Sequence, residues 1–573
     1  MKGYRVLDRI NIVAVFCLII LAVIAYIPAF NGSFVFDDHI LIEKNPSIRD
    51  MKNIPGFFVS KEARFPIYSI GALKDDVYRP LQTISYTISY SLWGLNAGFL
   101  HGENVLIHIM NGIILYFLTL YLFGKRPLSF LASLLFLIHP VQVEAVTYLS
   151  GRADGLSLLF FLASFFAFIE AEDSPDKPWI ILKPASLLFF AAALFSKEMA
   201  ATLPFVIILY LIFCKKQEKR FSAKEIFKKT WPYFLILILF LILRTYNLGK
   251  VAQIGGRTPI LIFLIMLKVF TGYLRLIFFP VGLTFFPEVN TGSVKLSPVY
   301  IFYALVAGFF IYLCVATARK NKPLVFLLLS YLVVLLPVSN IIPIKAFMQE
   351  RFLYFPSIFV LTAISYVLVS FWNRISGRML RNISLWLIAA VIVAFMAATF
   401  NRNLDWKDET TLVVKETARH PEDGRLYFDL GHISLEEGEH GKAREYFETA
   451  LRKNISPMHR TMSYDRLGNI YKMNNDFGKA TEYYLKAVEV TPAYYHSLNS
   501  LGDMYFKRQD YGPARHYFEK AVESWPGSAD ANSNLGTTYI MLGDKAKALK
   551  YWRRSLEINP AQPNIEKYIS WNE

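Results

Sequence analysis

Residues 10–39 read INIVAVFCLIILAVIAYIPAFNGSFVFDDH. A bilayer core takes roughly 20 apolar residues of helix. This run supplies them and then meets two adjacent acids, Asp37 and Asp38. Lys2, Arg5 and Arg9 precede the run, and no small-residue cleavage site is evident before Asn31. It reads as an uncleaved first crossing that starts in the cytosol. Apolar runs follow at 103–123, 127–143, 154–170, 180–196, 199–214, 231–246, 298–316, 323–342, 355–372 and 384–400. Short basic loops face the cytosol. Lys125–Arg126, the run Lys215 to Lys229, Arg319–Lys322 and Arg374–Arg381 all do so if the chain crosses eleven times. One further apolar run, 259–280, must then lie along the outer interface or re-enter. The acidic 170–178 loop, with Asp173 and Asp176, stays cytosolic, since acids weigh little in this rule. Segments 31–102, 144–154, 197–198, 247–297 and 343–354, and everything after residue 400, then face one compartment outside the cytosol.

The chain has 573 residues, 54% of them hydrophobic, which is too long and too apolar for one soluble domain. Its formal charge of +16 would suggest nucleic acid in a soluble protein. Here much of the Lys and Arg lies in loops between apolar runs, so the partner is the lipid bilayer and no nucleic acid is expected. Cys17, Cys214 and Cys314 lie in or beside apolar runs and give no disulfide framework or metal spacing.

Beyond residue 400 the pattern changes. Leu430-Gly431, Leu467-Gly468, Leu501-Gly502 and Leu535-Gly536 recur at intervals of 37, 34 and 34 residues. Ala443, Ala480, Ala514 and Ala548 follow, then Ala450, Ala487, Ala521 and Ser555, and Pro492, Pro526 and Pro560 close three units. That is the tetratricopeptide pattern of paired helices. The first unit is less regular, with Ser434 where Tyr is usual. Stacked pairs bury a continuous core and leave a concave groove that can hold a polypeptide. The fold class is all-α. Residues 1–400 form a polytopic membrane domain with the outer loop 31–102, residues 401–423 a linker, and residues 424–573 about four repeats.

Chemistry-bearing residues gather on the outer side. Asp37 and Asp38 open it, followed by Tyr78-Arg79-Pro80, His139-Pro140, Glu144, Gly151-Arg152-Ala153-Asp154, Lys197-Glu198 and Gln349-Glu350-Arg351, each at the end of an apolar run. Paired acids at a membrane boundary are costly to desolvate and point to function, although an isolated pair is more often a solvated loop. Cations suit a phosphate, and Arg can grip it at two points. A carboxylate can take a proton from an attacking hydroxyl. Together these describe group transfer from a phosphate-bearing lipid. Glu103, Asn104, His108 and Asn111 share roughly one helix face and suit hydrogen bonding between helices.

The stretches FVFDDHILIEKNPSIRD, YRPLQTISYTISYSLWGLN, HGENVLIHIMNGIILY, HPVQVEAVTYLSGRADGLSLLF, FSKEMAATLPFVIILY and ERFLYFPS resemble the transmembrane and tetratricopeptide-repeat-containing (TMTC) proteins. The likeness covers nearly the whole chain, motif order included. It implies a protein O-mannosyltransferase of the GT-C class, a hexosyltransferase that uses a polyprenyl-phosphate-linked sugar, mannose or a similar hexose. It implies inverting transfer to Ser or Thr of an acceptor polypeptide held in the repeat groove. Eukaryotic members act in the endoplasmic reticulum. The shorter repeat array suggests a bacterial homologue in the inner membrane, with site and repeats extracytosolic. Asp37 or Asp38 would then be the general base, Asp38 by a slight preference. Arg79, Arg152, Lys197 and Arg351 would meet the phosphate, Arg79 and Arg351 foremost. Glu144, Asp154 and Glu198 would orient those cations or contact sugar hydroxyls. His139 would donate to phosphate or be a satisfied interfacial histidine. The transfer would be metal-independent or weakly metal-dependent, and Asp37-Asp38-His39 leaves room for a divalent metal. The run 259–280 would cover the entry path of the lipid tail.

Two rivals share parts of this evidence. A non-catalytic membrane adaptor explains the repeats but needs one crossing, not eleven. A transferase of the same class that decorates a lipid or glycan keeps the mechanism and changes the acceptor. A transporter would instead show charges near mid-bilayer and internal symmetry.

Overall fold

A computed structural model describes residues 8–59, 78–173, 179–215, 221–248, 258–285, 287, 297–342, 344 and 346–572. Lys2, Arg5, Asp176 and residues 216–220 of the basic run lie outside the described residues. The chain divides into two compact units, residues 1–412 and 413–573.

The first unit is a helical bundle with two distinct ends. At the basic end Arg126 pairs with Asp8, Lys215 with Asp173 and Lys229 with Glu172, and the Tyr121 hydroxyl donates to Asp173 at 3.1 Å. The opposite end, here the loop end, carries Asp37. Among the described residues eight helices are long and apolar enough to cross a bilayer. Arg126–Ile138 and Pro140–Thr147 form a further span bent by 52°, and Ile181–Ser196, Glu198–Phe213 and Lys322–Val338 are shorter apolar helices. The chain is a multi-pass membrane protein.

One of the eight, Pro259–Phe278, behaves differently from the rest. It is a single unbroken helix, so it does not re-enter. Met266 touches Asn340, Tyr273 accepts from the Gln349 N–H at 3.3 Å, and the Ile277 carbonyl accepts from His139 at 2.9 Å. These partners lie at the loop end, while Phe270 reaches Phe310 and Tyr331 further in. Through these partners the helix packs against the loop end of the bundle.

Pro80–Trp93 is an amphipathic helix turned inside out. Gln82, Thr83, Tyr86, Thr87 and Ser89 are buried, while Ile88, Leu92 and Trp93 are exposed. Gln82 and Tyr86 donate to the carbonyls of Ser150 and Leu149, each at 2.9 Å. A polar face turned inward and an apolar face turned outward suit a helix that rests on lipid.

The stretch expected as a linker is helical instead. Arg378–Asp405 runs through residue 401 without a break, and Arg402, Asn403, Asp405 and Trp406 are buried in the first unit. Asn403 donates to the Ala25 carbonyl at 3.1 Å and accepts from Thr147. The unit ends at residue 412 for that reason, well past the end of the last long apolar run near residue 400.

The second unit is a stack of helix pairs, Gly424–Glu436 with His440–Arg452, Pro457–Met473 with Phe477–Val490, Tyr495–Lys507 with Tyr511–Ser524, and Ala529–Met541 with Lys545–Ile558. The repeat glycines set how closely each pair packs. A Cβ added at Gly431, Gly468, Gly502 or Gly536 would fall 2.5–2.7 Å from the ring of Phe447, Tyr484, Phe518 or Trp552. The eight small positions that mark the period are all fully buried, Ala or Ser555.

Candidate functional site

The acidic pair splits. Asp38 is fully buried and accepts from the Ser150 N–H at 2.7 Å, the Ser150 hydroxyl, and the Val35 N–H at 3.2 Å. Burial pushes its carboxyl up to about 7, while those hydrogen bonds hold it below where burial alone would put it. Asp37 is half-buried. Its own N–H donates to the Tyr148 hydroxyl at 3.1 Å, and Arg351 lies over the ring of Tyr148 at 5.7 Å. The slight preference for Asp38 as the base does not fit this arrangement, because both Asp38 oxygens are taken up by the protein. His39 turns away from both acids to Glu43, at 2.6 Å, and Glu409, at 3.2 Å. Glu409 first, and Glu43 with it, push His39 up to about 9 despite partial burial, so it is a cation at neutral pH. The Asp37-Asp38-His39 triplet thus diverges. Among the described residues no group of three or more His, Cys, Asp and Glu forms a metal-binding cluster.

Three of the four cations read from the sequence come together, each with its own carboxylate. Arg79 meets Glu198 at 2.9 and 3.3 Å, Lys197 meets both oxygens of Asp154 at 2.6 Å, and Arg351 lies 3.5 Å from Glu144. Glu144 also accepts the Arg351 N–H at 3.1 Å, and Gln349 accepts from Arg351 Nε at 3.0 Å. Burial above all, and then the positive fields of Arg79 and Arg351, hold the Lys197 ammonium down to about 8 against the pull of Asp154. Arg351 in turn lies in the field of Asp37. Arg79 and Arg351 keep side chains 20% exposed, whereas Lys197 is sealed. Two partly open guanidiniums can therefore meet a phosphate from outside, and of the two Arg351 is the one in the field of Asp37.

The fourth cation is spent on the fold. Arg152 donates from Nε to Asn104 at 2.7 Å, from one terminal nitrogen to Ser89 at 2.6 Å, and from the other to the Leu100 carbonyl at 3.0 Å and Glu103 at 2.9 Å. It also lies over the Tyr86 ring at 4.9 Å. A guanidinium 1% exposed with every nitrogen engaged is not placed to take a phosphate. His139 is likewise committed, bonded to Ile277 through Nε2 and accepting the Val141 N–H at Nδ1, which pins the helix Pro259–Phe278 to the bent span. Asn104, His108 and Asn111 hydrogen-bond across helices to Val146, Tyr354 and Gly155.

Sequence reasoning passed over three residues that shape the site. Ser150 holds Asp38, Tyr148 links Asp37 to Arg351, and Glu409 braces the loop from beyond the last crossing. Tyr148 and Ser150 stand beside the quoted Gly151-Arg152, which was the available signal. Nothing local marks Glu409.

Residues 87–246 match the family described as Dolichyl-phosphate-mannose-protein mannosyltransferase, a segment that includes Glu144, Asp154, Lys197 and Glu198. Residues 424–452, 463–494 and 494–561 match tetratricopeptide repeat families. The chain is 25% identical over 501 residues to protein O-mannosyl-transferase TMTC3 of Homo sapiens, covering 80% of this chain and 53% of that one. It is 23% identical over 553 residues to protein O-mannosyl-transferase Tmtc3 of Drosophila melanogaster, covering 84% and 59%. It is 31% identical over 216 residues to protein O-mannosyl-transferase TMTC1 of Mus musculus, covering 34% and 22%. The chain spans about half the length of the TMTC3 relatives of Homo sapiens and Mus musculus. Among solved structures, the crystal structure of MamA is 20% identical, covers 26% of this chain and 87% of its own, and has a TM-score of 0.24. With a segment that matches the mannosyltransferase family followed by tetratricopeptide repeats, the chain is similar to the TMTC protein O-mannosyl-transferases.

Proposed function

We propose that this chain is a membrane glycosyltransferase that moves a hexose, mannose or a close relative, from a polyprenyl-phosphate donor to an acceptor hydroxyl on the extracytosolic side. The observation that carries this reading is the pairing of Arg79, Lys197 and Arg351 with Glu198, Asp154 and Glu144, with Arg351 in the field of Asp37. Asp37 takes the proton of the acceptor hydroxyl. The oxygen then forms its bond to the anomeric carbon as the bond from that carbon to the phosphate oxygen breaks. The phosphate leaves with the electron pair, and Arg351 and Arg79 stabilise its growing charge. One displacement inverts the anomeric centre. The repeats favour a polypeptide acceptor bearing Ser or Thr, since tethering raises the local concentration of a bound chain.

The test uses purified full-length chain in detergent and a panel of radiolabelled polyprenyl-phosphate sugars. Sugar release by wild type that disappears in Asp37→Asn supports the transferase and names the donor. Folded protein that releases sugar from no donor, with membrane extracts and candidate acceptors supplied, points to the adaptor instead.

A further inference from the structure

Glu409 lies just past the last crossing, 372 residues along the chain from Asp37. One of its carboxylate oxygens accepts the Phe36 N–H at 3.0 Å and meets His39 Nε2 at 3.2 Å. Those two residues bracket Asp37 and Asp38. Phe36 has a φ of 48°, a left-handed backbone that a side-chain-bearing residue rarely adopts. Such a conformation costs about 1–3 kcal/mol and persists only where the surroundings over-determine it.

The surroundings here do so. The Phe36 ring stacks on Phe285 at 5.0 Å. The Ser33 N–H and hydroxyl both donate to the Lys407 carbonyl, at 2.9 and 3.2 Å. Trp406 is buried against Tyr148, at 5.5 Å, and Phe285, at 5.2 Å. Residues 406–409 therefore grip the loop at Ser33, Phe36 and His39, and the turn they enforce delivers the Asp37 N–H to Tyr148. Without Glu409, Phe36 loses its N–H acceptor and His39 loses its second carboxylate, and the backbone just before Asp37 is free to relax toward negative φ.

We infer that Glu409 is a positioning residue of the transfer reaction, aiming Asp37 through Phe36 and His39 without touching substrate. This rests on the reading of Asp37 as the general base. Donor phosphate would meet Arg79 and Arg351, which Glu409 does not hold, so the inference separates turnover from donor binding.

The experiment measures donor turnover by the full chain with radiolabelled polyprenyl-phosphate mannose. Misplacing a catalytic group by about 1 Å can cost about 100-fold, so Glu409→Ala should lower kcat about 10- to 100-fold. Its KM for the donor should stay within about twofold of wild type, as expected where only transition-state interactions are lost. Glu409→Gln keeps an acceptor for the Phe36 N–H, worth about 1 kcal/mol, and should bring kcat back to within about tenfold of wild type. Hydrogen exchange supplies a readout that needs no donor: the Phe36 amide should exchange faster in Glu409→Ala, while the Asp38 amide, bonded to the Val35 carbonyl, keeps its protection. Wild-type kcat in Glu409→Ala, or a loss confined to donor KM, overturns the positioning role. Asp37→Asn measured alongside keeps the two claims apart: if it remains active the base assignment fails, and if it is dead while Glu409→Ala turns over normally, only the role of Glu409 fails.

Discussion

Glu198 holds the guanidinium of Arg79 at two points, 2.9 Å from a terminal nitrogen and 3.3 Å from Nε. That geometry fixes the plane of the fork and leaves its remaining edge for an incoming phosphate. Hydrogen bonds to charged groups contribute about 1.5–3 kcal/mol, so Arg79→Met should lower kcat/KM for the donor about 10- to 100-fold. Glu198→Gln should cost less, because the guanidinium survives and only its aim loosens. Steady-state kinetics with varied donor separates them, and equal losses would show that Glu198 does more than orient Arg79.

The two neighbouring acids should behave differently with pH. Burial raises the Asp38 carboxyl from 3.8 to about 7 in the folded chain. The folded state then binds this proton more tightly than the unfolded state does. Its contribution to stability is full below about pH 4 and declines as pH rises through about 7. Asp38→Asn cannot ionise, so its stability relative to wild type should climb between pH 4 and 7 and level off above. Thermal melts across that range test this, and parallel curves would count against a buried titrating Asp38.

Arg152 and Arg351 should separate fold from catalysis. Removing one partner of a buried ion pair costs about 3–5 kcal/mol. Arg152→Met removes the cation that Ser89, Asn104 and Glu103 share, and it should depress folded yield in gel filtration. Arg351→Lys, which keeps a cation beside the fully buried Glu144 but loses the planar fork, should yield folded protein with kcat/KM reduced about 10-fold or more, the scale of one charged hydrogen bond. The reverse pattern would reassign both residues.

Orientation is open to labelling. Lys320 and Asn96 are both exposed and lie at opposite ends of the bundle by the reading above. In a chain freed of its own cysteines, Asn96→Cys should react with an impermeant thiol reagent from outside intact cells, and Lys320→Cys only after lysis. Lys320→Cys reacting from outside would break the eleven-crossing arrangement and the single-sided site with it.

Repeat packing makes a plain steric prediction. A Cβ at Gly502 would lie 2.5 Å from the Phe518 ring. Overpacking of this kind costs typically about 1–3 kcal/mol, so Gly502→Val should lower the melting temperature. Gly512→Ala meets open space and should leave it unchanged.

The repeats were legible because their period is local: every 34 residues the same small, aromatic and proline positions return, and each does the same packing job. The apolar helices were legible because a run of about 20 apolar residues is a local signal that needs no distant contact. Parity gives an expectation for 259–280, since a crossing there would put Arg319–Lys322 and Arg374–Arg381 on the side away from the other basic loops. The site was only half legible. Cations at helix ends announce themselves, but whether Arg152 faces a ligand or Glu103 depends on how Pro80–Trp93 folds back with its polar side inward. Which of two adjacent acids is buried depends on Ser150, 112 residues away. Glu409 has no sequence signature, because its role exists only once the last helix returns to the first loop.

The one-to-one pairing of Arg79, Lys197 and Arg351 with Glu198, Asp154 and Glu144 bears on which anions the proposed site would hold. A bare cluster of three cations would act as a sink for any small anion. With each charge already balanced, inorganic phosphate or sulfate gains little by entering, since it must compete with a carboxylate at every guanidinium. Occupancy then falls to ligands that bring a second source of affinity, such as a lipid chain dissolved in the bilayer.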